Sequence, residues 1–126
     1  MKSVPKKIMI ADDDTGIIDA VVMMLEFEGY TVSSTVNGAS VLELKNNYPD
    51  LLLLDVQMPG LDGREICRKL KQKEDTRNIP VILVSASTNL QKSAQDAGAD
   101  DYLEKPFNMH DLLEKVALQL NRSHPN

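Results

Sequence analysis

The feature of this sequence that most constrains its fold is a run of four leucines at positions 51–54, which ends directly at Asp55. A short run that is apolar at every position predicts a strand covered on both faces, as in a parallel sheet packed between helices. Pro49 before the run and the Met-Pro-Gly segment at 58–60 after it indicate loops. The sequence therefore predicts a buried central strand whose carboxyl end carries a carboxylate.

Short apolar runs of this kind alternate with helical patterns along the chain. Strands are predicted at 7–11, 30–34, 51–55, 81–85 and 101–104. Helices are predicted at 15–28, 38–47, 62–74, 90–97 and 109–120, with Asp14 and Asp62 as N-caps and Gly98 closing the fourth helix. Five β-α units predict an α/β fold, a doubly wound parallel sheet with helices on both faces.

Composition narrows the classes of function. The chain has 126 residues, which suits one domain, and its net charge of −5 without a basic stretch argues against direct binding of nucleic acid. No apolar run approaches the roughly 20 residues that cross a bilayer, so we expect no membrane association. Cys67 is the one cysteine, which excludes an intramolecular disulfide, and we expect a cytoplasmic protein.

Chemically capable side chains stand where the predicted strands end. Asp12 and Asp13 follow the first strand, Asp55 and Ser85 end the third and fourth, and Lys105 follows the fifth. Parallel strands bring their carboxyl ends to one edge of the sheet, where ligands bind. Two carboxylates about 4 Å apart repel each other by about 4 kcal/mol at an effective dielectric near 20. Mg²⁺ would relieve this repulsion, and acid, cation, amine and hydroxyl together suit phosphoryl transfer.

Four segments at these strand ends resemble the receiver family of response regulators. They are IADDD at 10–14, LDVQMPGLDG at 54–63, VSA at 84–86 and GADDYLEKPF at 98–107. The resemblance implies a flavodoxin-like (βα)5 sandwich with a five-stranded parallel sheet in the order 2-1-3-4-5. It also implies one receiver domain over residues 4–122, for which we expect no output domain.

The resemblance assigns the acceptor and the metal ligands. Asp55 matches the phosphoacceptor. Asp13 matches a direct Mg²⁺ ligand and Asp12 a ligand that acts mostly through water. Gln57 matches the position whose main-chain carbonyl completes the metal site.

The remaining roles concern the phosphoryl group and the response to it. Ser85 and Lys105 match the hydroxyl and the amine that bind the phosphoryl oxygens, the Lys105–Pro106 bond is expected to be cis, and Tyr102 matches an aromatic switch. The implied donor is a histidine kinase or a histidine phosphotransfer domain. The implied output is a protein partner on the surface of the fourth helix, fifth strand and fifth helix. The chain is thus expected to be a signalling phosphoacceptor that assists its own phosphorylation and dephosphorylation, not an enzyme in the usual sense.

Two alternatives remain at this stage. Asp12 and Asp14 have the Asp-x-Asp spacing of haloacid dehalogenase phosphatases, although Gly16 stands where that family has threonine or valine. A receiver-like interaction module that works without phosphorylation is the other, although such modules have normally lost an acid, the acceptor or the lysine. The sequence also leaves open whether the receiver acts alone or comes from a longer protein.

Overall fold

The computed structural model describes residues 4–122, which form five β-α units. The sheet has the order β2-β1-β3-β4-β5 and each neighbouring pair of strands is parallel, so the predicted fold class and strand order are confirmed. The elements are β1 Lys7–Ala11, α1 Thr15–Phe27, β2 Thr31–Thr35, α2 Gly38–Leu42, β3 Leu51–Asp55, α3 Gly63–Gln72, β4 Val81–Ser85, α4 Leu90–Ala97, β5 Asp101–Glu104 and α5 Met109–Arg122.

The leucine run forms the central strand β3, and its four side chains divide between the two faces of the sheet. Leu52 and Leu54 belong to a core cluster that also contains buried residues of α2, α3 and α4. Leu51 and Leu53 belong to a second cluster, which contains buried residues of α1 and α5. Each fully buried leucine contributes roughly 1.5–3 kcal/mol relative to an exposed one, so this strand is strongly fixed in the middle of the sheet.

Strand order reverses between β1 and β3, which places the crevice for ligands there. β1 pairs with β2 on one side and with β3 on the other, while the chain from β3 continues to β4 and β5. The helices that follow β1 and β3 therefore cover opposite faces, and a cleft opens at the carboxyl ends of these strands. Asp12 and Asp55 lie at this cleft.

The predicted helix caps are confirmed. The Asp14 side chain accepts a hydrogen bond of 3.1 Å from the Ile17 N–H at the start of α1. The Asp62 side chain accepts one of 2.8 Å from the Arg64 N–H at the start of α3. Gly98 ends α4 with φ of 80°, a left-handed conformation that glycine adopts without strain.

The prediction for the second helix is wrong in its length. A helix over 38–47 was expected, but α2 ends at Leu42 and Asn47 has a φ of 54°. Leu44 and Tyr48 still pack against the core. The residues between them are exposed and polar, and asparagine tolerates the left-handed region, so an irregular segment brings both side chains to the core. Smaller differences are that α3 ends at Gln72 and β2 begins at Thr31.

Within residues 4–122, none of the helices is both long enough and apolar enough to cross a membrane.

Candidate functional site

Three side chains from separate strand ends meet at the cleft. The Lys105 Nζ lies 3.1 Å from the Asp12 Oδ2 and 3.4 Å from the Asp55 Oδ1. The two carboxylates are almost fully buried, with 3% and 2% of their side chains exposed, and the lysine is 19% exposed. The structure thus brings together an acid after β1, an acid at the end of β3 and an amine after β5, as the strand-end argument predicted.

Asp13 completes a cluster of three acids. One carboxylate oxygen from each of Asp12, Asp13 and Asp55 lies within 4.8 Å of the other two. Ligands on opposite sides of a Mg²⁺ ion lie about 4 Å apart, given metal–oxygen bonds of roughly 2.0–2.1 Å, so small side-chain adjustments would fit the ion. The donors are all oxygens, and Asp13 is exposed, so that water can supply further ligands. The residues therefore fit a hard divalent cation.

The backbone fixes the orientation of Asp12. Its N–H donates to the Thr35 carbonyl at 3.1 Å, and its Oδ1 accepts a hydrogen bond of 2.9 Å from the Asp14 N–H. Since Oδ2 faces Lys105, both carboxylate oxygens are held. A buried carboxylate held in this way presents a fixed negative charge to the cleft.

Electrostatics in the cleft oppose ionisation of the central acid. Burial, and then repulsion from Asp12, raise the pKa of Asp55 to about 6, although Lys105 acts in the opposite direction. Burial lowers the pKa of Lys105, but its hydrogen bonds and attraction to Asp12 and Asp55 outweigh this, so that its pKa lies above the ordinary value. The lysine is therefore cationic at neutral pH, and the cleft still has excess negative charge to offset.

Gly63 is a component of the site that the sequence analysis did not single out. Its N–H donates to the Val56 carbonyl at 2.9 Å. A Cβ at this position would lie 2.2 Å from the Asp55 carbonyl oxygen, much closer than real atoms approach. The first turn of α3 therefore rests directly on the backbone at the end of β3. The available signal was a glycine at the start of a helix, where its low helix propensity calls for a reason.

Ser85 and Lys105 are coupled through the backbone of neighbouring strands. The Lys105 N–H donates to the Ser85 carbonyl at 2.9 Å. Ser85 is fully buried, and its Oγ accepts a hydrogen bond of 3.0 Å from the Ser87 N–H. The Lys105–Pro106 peptide bond is cis, as expected. The hydroxyl and the amine are thus held by the same pair of strand ends, next to Asp55.

The last two predicted residues lie around this centre. Gln57 is exposed in the loop after β3, which a bridge to Asp62 closes, and the metal role of its carbonyl stays a prediction. Tyr102 is half-buried on β5 and packs against the core cluster of α2, α3 and α4. The Lys115 Nζ lies 5.3 Å from the centre of the Tyr102 ring and 3.0 Å from the Asp101 carboxylate.

Comparison with known proteins gives a consistent result. A family model described as the response regulator receiver domain matches residues 8–117. The response regulator MprA of Mycobacterium sp. (strain KMS) is 40% identical over 123 residues, which cover 97% of this chain and 54% of that protein. The DNA-binding dual master transcriptional regulator RpaA of Synechocystis sp. is 40% identical over 123 residues, covering 93% of this chain and 50% of that protein. The chain thus spans about half the length of these curated relatives.

Solved structures agree with the sequence matches. The crystal structure of a CheY-like response regulator receiver domain protein from Methanospirillum hungatei has a TM-score of 0.86 and 33% identity, covering 95% of this chain and 97% of that chain. These matches do not support the phosphatase alternative.

Proposed function

This chain belongs to the response regulator receiver domain family, and from that membership we propose that it accepts a phosphoryl group from a phosphohistidine onto Asp55, with Mg²⁺. The observation that carries the proposal is the position of Lys105, whose amine lies within 3.4 Å of both buried carboxylates. An acid beside a fixed cation and a cluster of oxygen ligands is the arrangement that phosphoryl transfer requires.

In the proposed step, a carboxylate oxygen of Asp55 attacks the phosphorus in line with the bond to the donor imidazole. The phosphorus–nitrogen bond breaks, its electron pair stays on the imidazole, and Asp55 becomes an acyl phosphate. Lys105 lies beside the attacking oxygen and stabilises negative charge on the transferring group. The Ser85 hydroxyl, which accepts from the Ser87 N–H, can donate its own hydrogen to a phosphoryl oxygen.

Asp12, Asp13 and Asp55 would hold the Mg²⁺ ion, together with the main-chain carbonyl of Gln57. A bound divalent cation supplies positive charge that offsets the repulsion among the acids and the phosphoryl oxygens. Asp12 is already oriented by two backbone hydrogen bonds, so it positions its oxygens before any ligand arrives.

The donor is proposed to be a histidine kinase or a histidine phosphotransfer domain that docks beside α1. Met23 and Phe27 are 68% and 84% exposed on the outer face of this helix, which is unusual for large apolar side chains. At the other end of α1, a groove lined by Ile17, Ala20 and Phe107 leads to Lys105. Apolar surface next to the amine supports docking of a protein donor on this side.

Tyr102 and Ser85 are proposed to report phosphorylation to a protein partner at the surface of α4, β5 and α5. A phosphoryl group on Asp55 would attract the Ser85 hydroxyl, and the half-buried Tyr102 ring could then move toward the vacated space. Because Lys115 contacts both Tyr102 and Asp101, this movement would change charged groups on the partner surface. A local charge change would thereby shift the equilibrium between two surface conformations.

The proposal also includes the signalling system, the cellular compartment and the partners of the chain. The chain acts as a phosphoacceptor in a two-component system, in the cytoplasm, and does not itself bind nucleic acid, which its net charge of −5 supports. DNA binding is a property stated for the relative from Synechocystis as a whole protein. A receiver domain over residues 4–122 remains our proposal for this chain.

The test uses phosphoramidate, which contains a phosphorus–nitrogen bond like that of the proposed donor. Wild-type protein, incubated with phosphoramidate and Mg²⁺ and quenched in acid, should gain the mass of one phosphoryl group. Asp55→Asn should gain none, and excess chelator should abolish labelling of the wild type. Asp14→Asn is the matched control: it makes the same chemical change in an exposed acid outside the cluster, and asparagine keeps the helix cap.

Two results would overturn the proposal. Labelling of Asp55→Asn at the wild-type rate would move the acceptor elsewhere. A folded wild-type protein that takes up no phosphoryl group with Mg²⁺ would favour the alternative of an interaction module that works without phosphorylation.

A further inference from the structure

A second cavity adjoins the acceptor on the side away from α1. It has a volume of about 360 Å³ and lies between the loop after β3 and the loop after β4. Its polar lining residues are Gln57, Asp62, Arg64 and Ser87. Gln57 follows Asp55 by two positions, and the Ser87 N–H donates to the Ser85 hydroxyl, so the cavity borders the phosphoryl site.

Among residues 4–122, Arg64 is the only cation that lines this cavity, and it is held by one edge of its guanidinium group. Nε donates to the Asp62 Oδ1 at 3.0 Å, and Nη2 donates to the Asp62 Oδ2 at 2.5 Å. Nη1 makes no hydrogen bond to any group in residues 4–122, and the side chain is 42% exposed. One edge is therefore fixed, and the opposite edge retains donors for a ligand.

These donors suit a carboxylate. The free edge of a guanidinium presents two N–H groups in the plane that a carboxylate or phosphate accepts, and an amide and a hydroxyl from Gln57 and Ser87 lie in the same cavity. Of the described residues, Asp62 is the one acid in the lining, and its two oxygens are occupied by the Arg64 side chain and the Arg64 N–H. A ligand anion therefore meets mainly hydrogen-bond donors.

We propose that Arg64 is a specificity-determining residue that favours phosphodonors whose leaving group is a carboxylate, that is, small acyl phosphates. The inference rests on the proposed function of Asp55. An Asp55 oxygen attacks the phosphorus of the acyl phosphate, and the bond from phosphorus to the carboxyl oxygen breaks. The carboxylate departs with the electron pair, so no proton is needed.

The charge of the leaving group makes Arg64 selective. Negative charge grows on the departing carboxylate as the bond breaks, and a positioned cation stabilises this transition state more than the ground state. Phosphoramidate already carries the proton on its leaving nitrogen, and phosphohistidine carries it on the other ring nitrogen. Each leaving group therefore takes the electron pair and departs neutral, so Arg64 stabilises it little. The residue thus raises the rate with one class of donor and leaves the other class unchanged.

The experiment compares second-order phosphorylation rates with acetyl phosphate and with phosphoramidate, both with Mg²⁺, followed by intact mass. Arg64→Gln should lower the acetyl phosphate rate about fivefold, which corresponds to about 1 kcal/mol, the range for a partly exposed ion pair. The phosphoramidate rate should stay within about twofold of the wild type, and this also shows that the variant is folded. Arg64→Lys should recover part of the loss, because it restores the charge without the planar edge.

Arg68→Gln is the matched control, since Arg68 lies one turn further along α3 and pairs with Glu65 outside the cavity. It should change neither rate. Equal losses with both donors in Arg64→Gln, or no loss with acetyl phosphate, would refute the role of Arg64. Failure of the wild type to react with either donor would instead refute the proposed function of Asp55.

Discussion

Replacing Asp55 by asparagine should stabilise the folded protein in the absence of divalent metal. Burial and Asp12 raise the pKa of Asp55 from its ordinary value of 3.8 to about 6, which means that folding opposes ionisation of this acid. One pKa unit corresponds to about 1.4 kcal/mol, so ionised Asp55 costs about 3 kcal/mol at pH 7. Asparagine resembles the protonated carboxyl and avoids this cost.

The pH dependence has a definite sign. Well below pH 3.8 the carboxyl is protonated in both states, and wild type and variant should be about equally stable. Between pH 4 and pH 6 the unfolded state releases the proton while the folded state keeps it, so the stability of the wild type falls as the pH rises. Above pH 6 the advantage of Asp55→Asn should level off at about 3 kcal/mol.

Urea unfolding, followed by far-ultraviolet circular dichroism in buffer with a chelator, measures this advantage. Asp14→Asn serves as a control, since it makes the same chemical change in an exposed acid outside the three-acid cluster. Adding Mg²⁺ should narrow the difference in unfolding free energy between the two proteins at pH 7. The ion should bind the three-acid cluster of the wild type more tightly than the two acids left in Asp55→Asn, and so stabilise the folded wild type more. A variant less stable than the wild type at pH 7, or a gap independent of pH, would refute the electrostatic account of the cleft.

Two further predictions concern backbone contact and thiol chemistry. Gly63→Ala should destabilise the protein by about 1–3 kcal/mol and slow phosphorylation, because the new Cβ would displace the Asp55 carbonyl. Gly60→Ala is the control: its Cβ would meet no atom within 4 Å, but the φ of 84° should lower stability without the same loss of phosphorylation rate. An equal loss of phosphorylation rate in both variants would contradict the contact between Gly63 and Asp55. Burial raises the pKa of the Cys67 thiol to about 11. Iodoacetamide should therefore label the native protein far more slowly than the urea-unfolded protein. Equal labelling rates for the two forms would contradict the burial of Cys67.

The sequence was sufficient for the features that depend on periodicity and on strand ends. The leucine run predicted β3, and the order of strands and helices predicted the parallel sheet. Once the strands were known, Asp12, Asp55 and Lys105 had to meet at one edge, and the structure confirms that they do. These predictions succeed because side-chain periodicity and sheet geometry are local or general rules.

Features that depend on contacts between distant backbones were harder to predict. The segment 38–47 was predicted as one helix, yet α2 ends at Leu42, and an irregular segment with Asn47 in the left-handed region carries Leu44 and Tyr48 to the core. The close packing of Gly63 on β3 depends on where α3 begins in space. The half-free guanidinium of Arg64 depends on its pairing with Asp62, which sequence spacing does not reveal.

For the proposed function, the strand order also sets the distance between Asp55 and the partner surface at β5. β3, β4 and β5 are consecutive in the sheet, and strands lie about 4.8 Å apart, so the outer margin at β5 is roughly 10 Å from Asp55. Over this distance, the proposed switch needs only rearrangements of neighbouring side chains, for which Ser85 on β4 and Tyr102 on β5 are the candidates.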